Sequence, residues 1–326
     1  MLTEAAIVAL ELLKYPEAIV ISHTSPDADA IGSLMGITLA LQDKGIKVTP
    51  FLKDGVPYFC KFMIGDTQFI RELPEVLPPL LVFVDASNLQ RCGLSTEEIS
   101  GLKSRGVHLI IQIDHHFNDN FDSDLAIVDT LAPATAVLIY HLLPLLGCSL
   151  TQQIATALLA GLTVDTGKFS FGNTTAESHR IAAALMDAGA DVTGINLHLY
   201  ESMKREAFDL LKCAMNSIKS TADNRLVWAI LRAEDYTGCN AKSEDTEGII
   251  DFVRRVDGNK IAILFSERNN VVRVSLRSRG GIDVGLLART FGGGGHAAAA
   301  GIKFENGNLD EIIGKVLDEA TKIVKE

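Results

Sequence analysis

AIVISHTSPDADAIGS, residues 18–33, joins three kinds of sequence in one short span. AIVIS (18–22) is short, apolar and β-branched, the pattern of a buried strand. HTSPDAD (23–29) is a polar turn. A helical pattern follows over 30–44, with Gly45 as its stop signal. Outward from this unit the same alternation continues. IKVTPF (46–51) reads as the next strand, and LLVFVD (80–85) and VHLIIQID (107–114) read as fully buried strands. Helical stretches fill 133–146, 151–163 and 175–188, and the first residues, MLTEAAIVALELLKYPEA, read as an amphipathic helix. Apolar strands interleaved with helices imply an α/β fold: a doubly wound, mainly parallel sheet covered on both faces. In such sheets ligands bind beyond the carboxyl ends of the strands, which is where the acids and histidines fall.

After this half the pattern changes. Residues 196–218 have helical spacing and read as a connecting helix. RLVWAIL (225–231), KIAILFSE (260–267) and VVRVSLRSR (271–279) read as strands, with helices near 244–255, 283–290 and 309–324. The expected organisation is a domain over 1–195, the connecting helix over 196–218, and a smaller α+β C-terminal domain over 219–326.

With 326 residues the chain has room for two cores, and 47% hydrophobic with 22% charged residues is an ordinary globular composition. A net charge of −11 repels a long polyanion, and no basic stripe offers a path for duplex DNA. A phosphate-bearing substrate must then be small and met by metal ions or a local positive pocket. The five cysteines, Cys60, Cys92, Cys148, Cys213 and Cys239, are scattered without a Cys-x-x-Cys, as in reduced cytosolic thiols. No run of about eighteen apolar residues suggests a membrane span, and the acids Glu4 and Glu11 argue against a signal peptide. The expected location is the cytoplasm.

His23, Asp27 and Asp29 offer the donor mixture that suits divalent ions such as Mn²⁺, and Ser25 or Asp29 serves equally as a cap for the helix near Ala30. Asp85 ends a strand, where an Asx turn is the plain alternative. Asp114, His115 and His116 end another, and three consecutive ionisable groups there are costly to bury unpaired. Asp165 follows an apolar helix and either caps a turn or faces a cation. The conjunction decides. Carboxylates gathered at one sheet edge repel one another, and a pair of divalent ions relieves that repulsion while activating a bridging water for attack on phosphorus.

A second constellation lies in the C-terminal part. Arg273, Arg277 and Arg279 alternate along a strand and share one face, suited to gripping phosphate; a solvated basic edge strand explains Arg273 as well. GGGGHAAAAG (292–301) lets backbone N–H groups approach an anion, with His296 beside them and helix-forming alanines after it. His108, His141, His179 and His198 read as structural.

SHTSPDADAIGS, VDAS, IDHH and VDTG, in this order, resemble the four motifs of the DHH phosphoesterase superfamily, and VSLRSR with FGGGGHAAAAG resembles the DHH-associated C-terminal domain. Length and domain content are similar to NrnA-type oligoribonucleases, many of which also act on 3′-phosphoadenosine 5′-phosphate (pAp). The resemblance implies two Mn²⁺ ions, with Mg²⁺ or Co²⁺ as alternatives. It places His23 and Asp27 on the first and Asp29, His115 and Asp165 on the second, with Asp85 bridging. It gives His116 and Asp114 catalytic roles, His116 near the substrate phosphate and Asp114 orienting a histidine. Arg277, Arg279, Gly294, Gly295 and His296 would bind substrate. It implies short RNA or a small phosphonucleotide as partner, and a homodimer. Where relatives often carry a basic or polar residue after the glycine-flanked histidine, this chain has Ala297 and Ala298. Rival readings are a cyclic-di-AMP or linear dinucleotide (pApA) phosphodiesterase and, from another class, a nucleotide-binding regulatory protein.

Overall fold

The computed structural model describes residues 2–117 and 122–325. The chain forms two compact units, Met1–Ser202 and Met203–Glu326. The first contains α1 (Leu2–Leu12), β1 (Glu17–Ile21), α2 (Ala28–Asp43), β2 (Lys47–Phe51), α3 (Lys61–Ile64), β3 (Leu80–Val84) and α4 (Thr96–Gly101). It continues through β4 (Leu109–Asp114), β5 (Leu125–Val128), α5 (Thr135–Leu145), α6 (Gln152–Asp165), α7 (Ala176–Asp187) and α8 (Val192–Asn196). Its sheet has the order β2-β1-β3-β4-β5, with every pair parallel.

Successive strand residues point to opposite faces, and here both faces are dry. Val20, Val82, Ile111 and Ile113 pack with Leu34, Leu41, Leu142 and Leu158 of α2, α5 and α6. Ile19, Ile21, Leu81 and Phe83 pack instead with Leu89, Cys92 and Leu94 from loops and with Leu102, the C-cap of the short α4. Every residue of β3 is therefore buried, and the strand reads as an unbroken apolar run. β5 is a four-residue, half-exposed edge strand that the apolar pattern did not mark.

The strand order opens a crevice at one edge of the sheet. The chain passes from β1 to β2 on one side and returns to β3 on the other, so the loops leaving β1 and β3 diverge and open a crevice at their carboxyl ends. α2 begins at Ala28, two residues before the sequence pattern suggested. Its N-cap is Asp27, whose side chain accepts from the N–H groups of Asp29 and Ala30; neither Ser25 nor Asp29 fills that role. α2 and α6 touch backbone to backbone: a Cβ on Gly32 would lie 2.2 Å from the Ala157 carbonyl oxygen.

The helix expected over 196–218 is not continuous. α8 runs into a π-helical turn, Leu197–Glu201, and Ser202 and Lys204 then take extended ψ values of 124° and 150°. A new helix, α9 (Arg205–Asn216), starts beyond them. Its Leu210, Leu211 and Ala214 bury in the core of the second unit, whereas Ile195 belongs to the core of the first. Helical spacing reports the period of side chains and is blind to which core each half joins.

The second unit continues with β6 (Lys219–Ser220), β7 (Leu226–Leu231), α10 (Ala233–Cys239), α11 (Ile249–Val253), β8 (Ile261–Arg268) and β9 (Val271–Ser278). It ends with α12 (Val284–Arg289), β10 (Gly294–Gly295), β11 (Ala299–Glu305) and α13 (Leu309–Lys325). The sheet order is β10-β11-β9-β8-β7-β6, antiparallel except for β7 with β8. The helix near 244–255 is divided into a 3₁₀ turn, Ser243–Thr246, and α11, with Gly248 between them at φ 75°. Two further expectations are corrected here. The alanines after His296 begin a strand and not a helix, because pairing of Ala299 to Arg277 and Ala300 to Leu276 overrides intrinsic helix propensity. β9 lies between β11 and β8, so Arg273 is not on an edge strand. Among the described residues no helix is long and apolar enough to cross a membrane.

Candidate active site

Four segments of the first unit meet at the crevice. The loop after β1 supplies His23 and Asp27, and the first turn of α2 supplies Asp29. Asp85 leaves β3, Asp114 to His116 leave β4, and Asp165 closes α6. His23, Asp27 and Asp85 offer one ligand atom each within 4.8 Å of one another, and so do Asp29, His115 and Asp165. Asp85 also joins the two sets: its carboxylate lies 3.5 Å from His23 Nε2 and 3.5 Å from His115 Nε2.

Each side chain is held by a local cause. Asp85 sits at φ 54°, a left-handed conformation that Asp tolerates better than most residues. Its backbone N–H is tied to the Ile113 carbonyl, and its carboxylate accepts from the Thr135 hydroxyl at 2.8 Å. Asp29 is buried on α2 and accepts the N–H groups of Thr135 and Ala136 at the start of α5, at 2.6 and 3.0 Å, and the Ser33 hydroxyl at 3.2 Å. Gly161 faces it from α6, where a Cβ would stand 2.4 Å from Asp29 Oδ1. His115 Nε2 lies 3.1 Å from Asp165, and its Nδ1 meets the Ala132 carbonyl at 3.1 Å, which leaves Nε2 facing the carboxylates. His116 turns away. Its Nδ1 is 2.8 Å from Asp114 Oδ1, and the other oxygen of Asp114 accepts from Gln112 at 3.3 Å.

Protonation in this arrangement shows the electrostatic problem. Burial opposes charge on His23, yet its hydrogen bond to Asp85 and the charges on Asp27 and Asp85 raise its pKa to about 9. Burial likewise opposes charge on His115, and Asp165, Asp85 and Asp29 outweigh it, lifting that pKa well above the usual range. Burial, then Asp85 and Asp165, push Asp29 well above the ordinary carboxylate range, and burial lifts Asp165 to about 6 against the pull of His115. Asp85 goes the other way: burial resists its charge, but His23, His116 and His115 hold it ionised far below that range. Protons on the histidines do here what divalent cations do better.

In the second unit Gly294 and Gly295 form β10 against β11, and His296 and Ala299 close the tight turn between them, with the His296 N–H donating to the Ala299 carbonyl at 2.7 Å. Ala299 pairs with Arg277, so this turn and Arg277 share one end of the sheet. Arg279 lies just past the end of β9. The histidines read as structural join none of these groups: His141 pairs with Glu177 at 3.1 Å, and His179 and His198 stack on Phe169 and Phe62.

The comparisons agree with this arrangement. The model of the DHH family, N-terminal domain, matches residues 17–162, and that of the DHHA1 domain matches residues 223–326. A protein of Thermus thermophilus, "Bifunctional oligoribonuclease and PAP phosphatase NrnA", is 33% identical over 312 residues, covering 94% of this chain and 91% of that protein. The chain belongs to the DHH family. A Bacillus subtilis DHH relative with the same description is 27% identical, over 88% of this chain and 89% of its own. Among solved structures, an exopolyphosphatase-related protein from Bacteroides fragilis superposes with a TM-score of 0.87 at 22% identity, covering 100% of this chain and 98% of that one. RecJ of Thermus thermophilus in complex with Mn²⁺ gives 0.58 at 14% identity, covering 98% and 55%. These two likenesses speak for the DHH fold alone.

Motif reading passed over Thr135, Gln112 and Gly161. Thr135 opens a helix just after Pro133, a visible start signal, but its bonds to Asp29 and Asp85 span 106 and 50 residues and leave no local trace.

Proposed function

We propose that this chain hydrolyses phosphate esters of very short oligoribonucleotides and of pAp, using two divalent cations, Mn²⁺ by preference. The observation that carries the reading is the pair of three-residue ligand sets that meet at Asp85. The donor chemistry fits such ions: carboxylate oxygens with one imidazole in each set suit Mn²⁺ better than an all-oxygen site would. His23, Asp27 and Asp85 would hold one ion, and Asp29, His115, Asp165 and Asp85 the other. When bound, such a pair acidifies a water and neutralises charge on the phosphoryl oxygens.

The chain's own residues do the rest. The N–H groups of Thr135 and Ala136 keep Asp29 aimed into the crevice, and the Thr135 hydroxyl does the same for Asp85. Oriented by donating its Nδ1–H to Asp114, His116 donates from Nε2 to a phosphoryl oxygen as the imidazolium, the form that opposes negative charge developing there. Arg277, Arg279, His296 and the N–H groups near Gly294 and Gly295 anchor a substrate phosphate. The two relatives described above as bifunctional oligoribonuclease and PAP phosphatase support this choice of substrates.

Product analysis with Mn²⁺ over pAp, di- to pentanucleotides and cyclic dinucleotides tests it. Release of mononucleotides from short RNA and of phosphate from pAp is the expected result. Turnover of cyclic dinucleotides alone would replace this substrate class, and equal behaviour of metal-stripped and metal-loaded protein would end the metal reading.

A further inference from the structure

Two sulfur atoms of the second unit meet. Cys213 lies on α9 and Cys239 is the last residue of α10, and their Sγ atoms stand 3.7 Å apart, in van der Waals contact. Each position follows from the packing of its own helix. On α9, Leu210, Leu211 and Ala214 are buried, and Cys213, three residues after Leu210, borders that face. On α10 the buried residue is Tyr236, and Cys239 follows it by three, on the same side of the helix. All of these join one core, with the two thiols at its half-buried margin. The end of α10 is pinned: Asn240 takes a left-handed φ of 53°, and the Ala241 N–H donates to the Tyr236 carbonyl at 2.8 Å. The other three cysteines belong to the first unit. Cys60 and Cys92 are fully enclosed there, and the Cys148 thiol donates to the Ala40 carbonyl at 3.2 Å.

We propose that Cys213 and Cys239 form a modification site, oxidised by a low-molecular-weight disulfide to an intramolecular bridge between α9 and α10. In the first step one protein thiolate attacks a sulfur of the small disulfide; that S–S bond breaks, and the small thiolate leaves and takes up a proton. The second protein thiol gives up its proton, attacks the protein sulfur of the mixed disulfide and expels the remaining small thiol. Two protein thiols are oxidised, and one small disulfide is reduced to two thiols. The sulfurs must close from 3.7 Å to the roughly 2.05 Å of an S–S bond, which χ1 rotations of the two cysteines would supply. Ionisation does not favour the pair. Burial first, then Cys239 and Asp235, push the Cys213 thiol up to about 11, so little of it is thiolate at neutral pH. Proximity does favour it. The resolving sulfur already stands beside its target, at an effective concentration that no thiol in solution reaches. Formation of the mixed disulfide is therefore the slow step and closure the fast one. Where small thiols outnumber small disulfides the pair stays open. This inference stands apart from the phosphoesterase reading.

Mass spectrometry of the full chain tests it, after incubation with excess oxidised glutathione, alkylation of the remaining thiols and only then denaturation. The expected product has lost two hydrogens, leaves three of the five cysteines open to alkylation, and yields a peptide joining Cys213 to Cys239. Dithiothreitol should restore the starting mass. Cys213→Ser and Cys239→Ser each lack the resolving sulfur and should instead accumulate the adduct of one glutathione on the remaining partner. A variant that had lost its fold would also take up glutathione at Cys60 and Cys92, so an adduct confined to that partner shows the fold intact. Cys148→Ser should form the bridge as the unaltered chain does. A bridge that spans 26 positions of chain and leaves both helices in place should raise the thermal midpoint by roughly 3 °C or more. Five open thiols after incubation, a mixed disulfide that persists in the unaltered chain, or a bridge between other cysteines or between two chains overturns the proposal. So does an unchanged or lowered midpoint in the bridged form.

Discussion

Gly161→Ala adds one methyl group and, by the reasoning above, damages the proposed metal site without replacing any ligand. The new Cβ would lie 2.4 Å from Asp29 Oδ1, 3.0 Å from Asp29 Cα and 3.1 Å from Ala136 Cβ. The carboxylate cannot swing aside freely, because Thr135 N–H, Ala136 N–H and the Ser33 hydroxyl all hold it. Relief requires α6 to retreat or Asp29 to give up a charge-assisted hydrogen bond, worth roughly 1.5–3 kcal/mol. Overpacking adds about 1–3 kcal/mol, and the better helix propensity of Ala returns about 1 kcal/mol. A net loss of about 1.5–5 kcal/mol follows, read from urea unfolding of the metal-free protein. Displacement of Asp29 by even part of an ångström should also lower Mn²⁺ affinity and reduce hydrolysis by about a hundredfold. Gly36→Ala on α2 is the control, since the atoms nearest its Cβ are the ends of the Leu158 and Ile139 side chains and not a ligand or backbone. If Gly161→Ala matched Gly36→Ala in stability, metal affinity and turnover, the account of how Asp29 is positioned would be wrong.

Asp27→Asn separates two roles: the cap survives, so stability should change by less than about 0.5 kcal/mol, while hydrolysis falls at least about a hundredfold; equal loss of both would show capping alone. Thr135→Val removes the hydroxyl that Asp85 accepts and should cost about 1.5–3 kcal/mol by urea unfolding together with weaker metal binding, and unaltered Mn²⁺ affinity would contradict the positioning role. Mn²⁺ binding at pH 7 should release protons. His23 is raised to about 9 and His115 is raised as well, so both hold protons in the metal-free state and must lose them to bind a cation. Metal affinity should therefore climb with pH towards about 9, and calorimetric heats should depend on the ionisation enthalpy of the buffer; heats identical in all buffers would refute the protonated starting state.

The residues themselves determined a good deal. Buried strands carry their own signature when both faces are dry, so β1, β3 and β4 were legible as apolar runs, and the polar residues at their ends marked the candidate binding edge. Short, ordered motifs did the same for the candidate site, because His23, Asp85, Asp114, His115, His116 and Asp165 each stand where an apolar element stops, and Asp27 where the next helix begins. Local signals failed where partners lie far away in sequence. The alanines after His296 look helical until β9 offers them a ladder, and the spacing over 196–218 looks continuous although its two halves bury in different cores. Which charges face one another was likewise beyond local reading. Asp29 is aimed by a helix that begins more than one hundred residues later, and Asp251 and Arg254 approach Arg277 only because α11 folds over β9. Sequence sets which groups can ionise and where chain elements end. Only packing decides how near those groups stand, and electrostatic energy depends on that separation and on the water excluded from it.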